Sequence, residues 1–406
     1  MANRDAHRRR WFWTLLVAFD VALCAAGAAV AHRLLESARE ASREAGGDYV
    51  ELPPSEGPPR DALPLDAAAS ALLATLADER PWSKDTQYVV DPVVGHRPRR
   101  SIEVRLRLGP LGGEAVRGAR RQNNLGLVRS DDLFELPGPP RLLLIGDSHL
   151  MGVVSNADNA AAVLERRLRA PADASTPARP AAAVLNASAG YYSLWQLVLR
   201  ARTLAPALAP DVLVLAVFLG NDFLELEDTG RPHLDDALAE QLAAAEPPAE
   251  TTSARLAWLG MSGDQQLFWQ GLNQATHFHL RPERLAPVVA KSGRCLDAAQ
   301  QLAAQHGARL VVGLVPSFDL VFPDRVASYG ARAMEAVAGG ANERLRAEFR
   351  ALLATRSITA VDLVETFRAD GRDALYATDY HVWIDGHRLF AEALQAPIEA
   401  ALTAPR

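Results

Sequence analysis

Two hydrophobic patterns divide the chain. Ser101–Leu108 alternates strictly, with Ile102, Val104, Leu106 and Leu108 on one side and mostly charged residues between them. That is the signature of a strand with one buried face. Gly109–Gly113 then turns the chain back toward residues 115–120, so residues 81–140 read as a small β-rich subdomain. From Arg141 the pattern changes to largely apolar runs, at 141–145, 182–186, 212–218, 310–315 and 358–363. Such runs read as strands buried on both faces. Helically spaced stretches separate them, at 150–168, 193–206, 283–305 and 331–354, and a last one begins at Gly386. This alternation predicts a five-stranded parallel sheet with helices on both faces, over residues 141–406. Leu224–Arg281 is too long for a simple connection and reads as an insertion, whose Trp258, Phe268, Trp269 and Phe278 are spaced as packing residues.

The N-terminal pattern is different again. Arg4 and Arg8–Arg10, in a basic stretch 1–10, precede 21 largely apolar residues, Trp11–Ala31. At about 1.5 Å per residue, that length matches a hydrocarbon core of about 30 Å. The arginines keep their end in the cytoplasm and place the rest of the chain outside, so a single-pass inner-membrane anchor with a periplasmic domain is expected. The length favours an anchor over a cleaved signal peptide, for which Ala29–Ala31 would serve as the cleavage site. Residues 32–80 are charged, then rich in proline and alanine, and read as a linker with one short helix at Leu65–Ala77.

Composition narrows the function. A net charge of −6 gives no footprint for nucleic acid. Two cysteines, Cys24 and Cys295, make no disulfide framework. His277 and His279 have no third ligand at useful spacing, so neither a metal nor an organic cofactor is implied.

The chemistry gathers where the strands end. The first run delivers Gly146-Asp147-Ser148-His149, and Gly146 permits the sharp exit that a Cβ would hinder. The second delivers Asn186 to Gly190, the third Gly220-Asn221-Asp222, and Asp379 and His381 follow the fifth. In a parallel sheet these ends share one edge. A hydroxyl nucleophile, a base held by a carboxylate, and donors for an oxyanion are what acyl transfer needs. Asp147 is expected to brace the turn, His149 to neighbour the cleft, and His387 to lie at the surface or in packing.

These blocks resemble the SGNH (GDSL-type) hydrolase superfamily, over roughly residues 141 to 400. The resemblance implies a flavodoxin-like three-layer α/β/α sandwich, preceded here by the anchor and the β-rich subdomain. It makes Ser148 the nucleophile and His381 the base, five residues before Gly386. Ser148 N–H, Gly190 N–H and the Asn221 side chain would form the oxyanion hole. Asn123–Arg129 also resembles a loop that precedes the core in some exported members. The acid departs from the pattern: the family spaces it Asp-x-x-His, whereas position 378 is threonine and Asp379 gives Asp-x-His, with Trp383 nearby. That spacing resembles some envelope acetyltransferases. The expected function is therefore an exported serine esterase acting on an ester-bearing small molecule or envelope glycan. The alternatives are an O-acetyltransferase of an envelope polysaccharide and a catalytically inactive glycan-binding or scaffold protein.

Overall fold

In the computed structural model the apolar runs become the central sheet of a three-layer sandwich. The structure describes residues 49–51, 76, 80–82, 87–133, 137–169, 182–227, 255–256, 259 and 266–404. The basic stretch 1–10, the expected anchor 11–31, and most of the linker, including its expected helix apart from Leu76, lie outside them. Among the described residues no helix is long and apolar enough to cross a membrane.

Three strands form a small antiparallel sheet in the order β1-β4-β5: β1 (Tyr49–Glu51), β4 (Ile102–Leu108) and β5 (Val116–Gln122). The edge strand β1 comes from within the expected linker. On β4 the alternation holds, with Ile102, Val104 and Leu108 buried and Leu106 half-buried. Between β1 and β4, β2 (Tyr88–Asp91) and β3 (Gly95–Pro98) pair as a separate antiparallel hairpin.

The core sheet contains β6 (Arg141–Gly146), β7 (Ala183–Asn186), β8 (Val212–Phe218), β9 (Arg309–Val315) and β10 (Thr359–Asp362). All pair in parallel, in the order β7-β6-β8-β9-β10. Counted from β6, that is the 2-1-3-4-5 order of flavodoxin-like sheets. Because side chains alternate along a strand, each run supplies both faces. Leu143, Ile145, Leu213, Leu215 and Val217 pack on one side against α3 (Leu194–Leu208), α6 (Leu285–Gln305) and α9 (Ala341–Thr355). Leu142, Leu144, Val212, Val214 and Phe218 pack on the other, against α2 (Ala160–Arg169) and α11 (Ile384–Thr403). Burying each such leucine is worth about 1.5–3 kcal/mol.

Among the described residues the other α-helices are short. They are α1 (Ser148–Met151), α4 (Asp222–Glu225), α5 (Asn273–Leu280), α7 (Phe318–Val321), α8 (Ala331–Ala338) and α10 (Val364–Asp370). The two ends of the insertion are tied together by a buried pair, His277 Nε2 to Glu227 Oε2 at 2.6 Å. His279 faces Glu335 instead, at 3.5 Å.

The small sheet and the sandwich share backbone hydrogen bonds. Leu111 N–H donates to Tyr376 O at 2.7 Å and Thr378 N–H donates to Gly109 O at 2.9 Å, so the β4–β5 turn runs along the segment before His381. In the Asn123–Arg129 loop, Asn123 Oδ1 accepts the N–H groups of Leu125 and Leu127, and Val128 N–H donates to Asn186 O at the end of β7.

Candidate active site

Ser148 stands at the junction of β6 and α1. Gly146 is needed there for room and not for an unusual φ. A Cβ on it would stand 2.8 Å from Leu150 Cβ and 3.1 Å from Ala216 Cβ, whereas its φ is not in the left-handed region. Asp147 braces the turn as expected: its Oδ1 accepts His149 N–H at 2.9 Å and caps the helix. Ser148 is thereby the first helical residue, with its hydroxyl released from capping. Ser148 Oγ lies 3.0 Å from His381 Nε2.

His381 is delivered by a tight turn after α10. Tyr380 N–H donates to Ala377 O at 2.9 Å and Ala377 N–H to His381 O at 2.7 Å. Tyr380, between Asp379 and His381, has φ +65°. A left-handed residue after a β-turn is the usual closure of a three-residue hairpin loop, and a side chain there costs about 1–2 kcal/mol. The Tyr380 ring is buried against Phe318, 5.0 Å between centroids. The fold-back brings Asp379 Oδ2 to 3.0 Å from His381 Nδ1 and Oδ1 to 3.2 Å from His381 N–H. At Nδ1 the oxygen lies off the N–H axis, since no hydrogen bond of good geometry forms there. The contact is therefore mainly electrostatic. Burial works against charge on both groups, yet their mutual attraction wins: Asp379 is held below the ordinary carboxylate value and His381 above the ordinary imidazole value.

His149 packs beneath this pair. Its ring stacks on Phe218, 3.5 Å between centroids, and Val382 N–H donates to its Nδ1 at 3.3 Å. That leaves the proton on Nε2, which donates to Gln270 Oε1 at 2.8 Å. Burial first, and then the charge of His381, holds this imidazole well below its ordinary pKa, so it is neutral. Gln270 Nε2 in turn stands 3.5 Å from His381 Nε2. Gln270 sits at a kink within Phe268–Leu272, where it and Gly271 leave helical geometry, and is buried. Burial also raises the Asp147 carboxyl to about 7, against the His149 hydrogen bond and the His381 charge.

The expected oxyanion donors are placed unequally. A Cβ built on Gly190 would be 3.6 Å from Ser148 Cβ, so the glycine is beside the nucleophile. Its N–H donates to Tyr88 Oη at 3.1 Å. Asn221 precedes α4, and its amide donates to Glu225 Oε1 at 3.2 Å while its carbonyl oxygen is buried without a partner. His387 is in packing: buried, it accepts Ala160 N–H on Nδ1 at 3.3 Å, and burial pushes it down to about 3.

The sequence patterns do not single out Tyr88, His96 or Gln270, each brought to the site from a distant segment. His96 Nε2 lies 2.7 Å from Gly190 O. Trp82 stacks on His96 at 4.1 Å and stands 5.9 Å from Tyr191. Both Trp82 and Tyr191 are exposed, at 38% and 52%.

A serine, a glycine, an asparagine and a histidine follow β6, β7, β8 and β10 in turn, in a sheet of 2-1-3-4-5 order. The chain resembles the GDSL-type (SGNH) hydrolases. No protein-family model matches the sequence, and no curated protein does either. Among solved structures, 66% of this chain matches 100% of a lipase/acylhydrolase from Enterococcus faecalis, at 12% identity and a TM-score of 0.35. A putative lipolytic protein of the G-D-S-L family from Desulfitobacterium hafniense DCB-2 is matched over 99% of its length by 64% of this chain, at 12% identity and a TM-score of 0.36. An acetyl xylan esterase, AlAXEase, is matched over 99% by 64% of this chain, at 13% identity and a TM-score of 0.37.

Proposed function

We propose that this protein is a serine esterase that works through an acyl-enzyme. The observation that carries this reading is the line of contacts from Ser148 Oγ to His381 Nε2, at 3.0 Å, and from His381 Nδ1 to Asp379 Oδ2, at 3.0 Å. Neutral His381 takes the Ser148 proton as Oγ attacks the ester carbonyl, and Asp379 favours the imidazolium that results. Donors from Ser148 N–H and the Asn221 amide would meet the oxyanion, the latter by leaving Glu225. His381 then protonates the leaving alcohol, and water or another hydroxyl takes the acyl group. A fluorophosphonate probe tests this directly: it should label Ser148 in the parent protein and not in Ser148→Ala. Labelling at another residue overturns the assignment.

The exposed Trp82 and Tyr191 favour a second reading, transfer of an acetyl group to an envelope polysaccharide, because flat aromatic faces next to Gly190 suit the apolar face of a sugar ring. Comparing hydrolysis with transfer when a glycan acceptor is added to an aryl acetate separates the two. The arginines before the apolar stretch 11–31 support an inner-membrane anchor that leaves the catalytic domain in the periplasm.

A further inference from the structure

Gly190 N–H, the backbone donor expected at the oxyanion, is committed to Tyr88 Oη at 3.1 Å. A Cβ at Gly190 would lie 2.4 Å from Tyr88 Oη and 3.6 Å from Ser148 Cβ. The phenol oxygen, the glycine and the nucleophile therefore converge on one spot, and the phenol lies where the glycine donor would point. Its neighbours hold it in place. The Tyr88 ring is 3% exposed and meets His96 edge-on at 5.2 Å, while His96 Nε2 contacts Gly190 O at 2.7 Å. The phenol proton is directed at Met151 Sδ, 3.3 Å away. A thioether is a weak acceptor, so a developing oxyanion would take that proton's hydrogen bond with a large gain.

We propose that Tyr88 is a catalytic residue of the acyl transfer, its hydroxyl standing in for Gly190 N–H as an oxyanion donor. This rests on Ser148 being the nucleophile, as argued above. As Ser148 Oγ bonds to the carbonyl carbon, its proton passes to His381 Nε2 and the carbonyl π pair moves onto oxygen. The Tyr88 O–H turns from Met151 to that oxygen, while Gly190 N–H donates to the phenol oxygen and strengthens it as a donor. No proton leaves the phenol. When the tetrahedral intermediate collapses, the oxygen pair reforms the carbonyl, the leaving alcohol takes the proton from His381, and the hydroxyl returns to Met151. The hole would then be completed by a residue from the β2–β3 hairpin, outside the sandwich.

Tyr88→Phe keeps the ring and removes only the hydroxyl. In the full chain, with an aryl acetate, it should lower kcat about 10²-fold or more and leave KM within about twofold. Phosphonylation of Ser148 in folded protein, checked by thermal melting, should slow in parallel. Unchanged or faster turnover would overturn the proposal, since Gly190 N–H would then suffice once uncovered. A lower melting temperature with unaltered kcat and phosphonylation would overturn it too, as a purely structural hydroxyl. If the phenylalanine variant does not fold, 3-fluorotyrosine at position 88 keeps the shape and ionises at lower pH. It should move an alkaline fall in kcat to lower pH, and an unmoved profile overturns the proposal. A parent protein that turns over no ester and is not phosphonylated at Ser148 would overturn the esterase reading and this inference with it.

Discussion

Asp379 and His381 meet at 3.0 Å across a single intervening residue, and Asp379 also accepts the His381 backbone N–H at 3.2 Å. The short spacing works because Tyr380 is left-handed, which folds the carboxylate back over the imidazole. The cost is alignment: the acid approaches Nδ1 off axis. Asp379→Asn should keep the fold and lower kcat strongly, because an amide can favour the wrong tautomer. His381→Ala should be at least as damaging, and the double variant should cost far less than the sum of the logarithmic losses. A nearly silent Asp379→Asn beside an inactive His381→Ala would reduce the site to a Ser/His dyad.

The pH profile follows from the same contact. Burial, the largest single influence, opposes the charge on His381, and the nearby charge of Asp379 outweighs it, so His381 is raised. The rising limb of kcat/KM should therefore lie above about 6.5, the ordinary imidazole value. Asp379→Asn should move it down. The stability effect has the opposite sign: a raised folded-state pKa means that the folded protein binds the proton more tightly. That contribution is fully present below about 6.5 and is lost as pH rises through the raised value. Melting temperature measured across this interval should show parent stability falling relative to His381→Ala, where activity climbs.

Asn221→Ala should lower kcat by roughly 10²–10³, with little change in KM, if its amide meets the oxyanion. A pure KM effect in steady-state kinetics would make Asn221 a ground-state contact.

Gln270 supports two imidazoles, accepting from His149 and approaching His381. Gln270→Leu should leave the buried His149 Nε2–H without a partner, at about 1–3 kcal/mol of stability. Urea unfolding should record that loss together with a fall in kcat; an unchanged midpoint would show that the pair is unimportant.

Export is tested by alkaline phosphatase fused after Arg406. Active phosphatase is expected, whereas a silent fusion alongside a bright cytoplasmic reporter would reverse the orientation.

The sandwich was legible because its signals are local. Leu142 to Ile145 and Val212 to Phe218 are apolar throughout because both faces of the sheet are covered, and Ser148, Gly190 and Asn221 each follow such a run. Gly146 was legible as a necessity but not for its reason, which is the close approach of Leu150 and Ala216. Tyr88, His96 and Gln270 reach the site through contacts more than ninety positions apart in sequence. No periodicity marks such partners. His387, polar and in the first turn of α11, is buried because it accepts the Ala160 N–H at the start of α2, a tertiary role that sequence does not announce.

The turn at Gly109–Leu111 bonds to the backbone of Tyr376–Thr378, one step before the acid and base. A protein trimmed to start at Arg141 would therefore retain Ser148, Asp379 and His381 yet leave Leu375–His381 without its neighbour on that side. The unit that holds this segment is not the sandwich alone but the sandwich with the small sheet, β1 included, and recombinant fragments or transplanted domains should be cut accordingly.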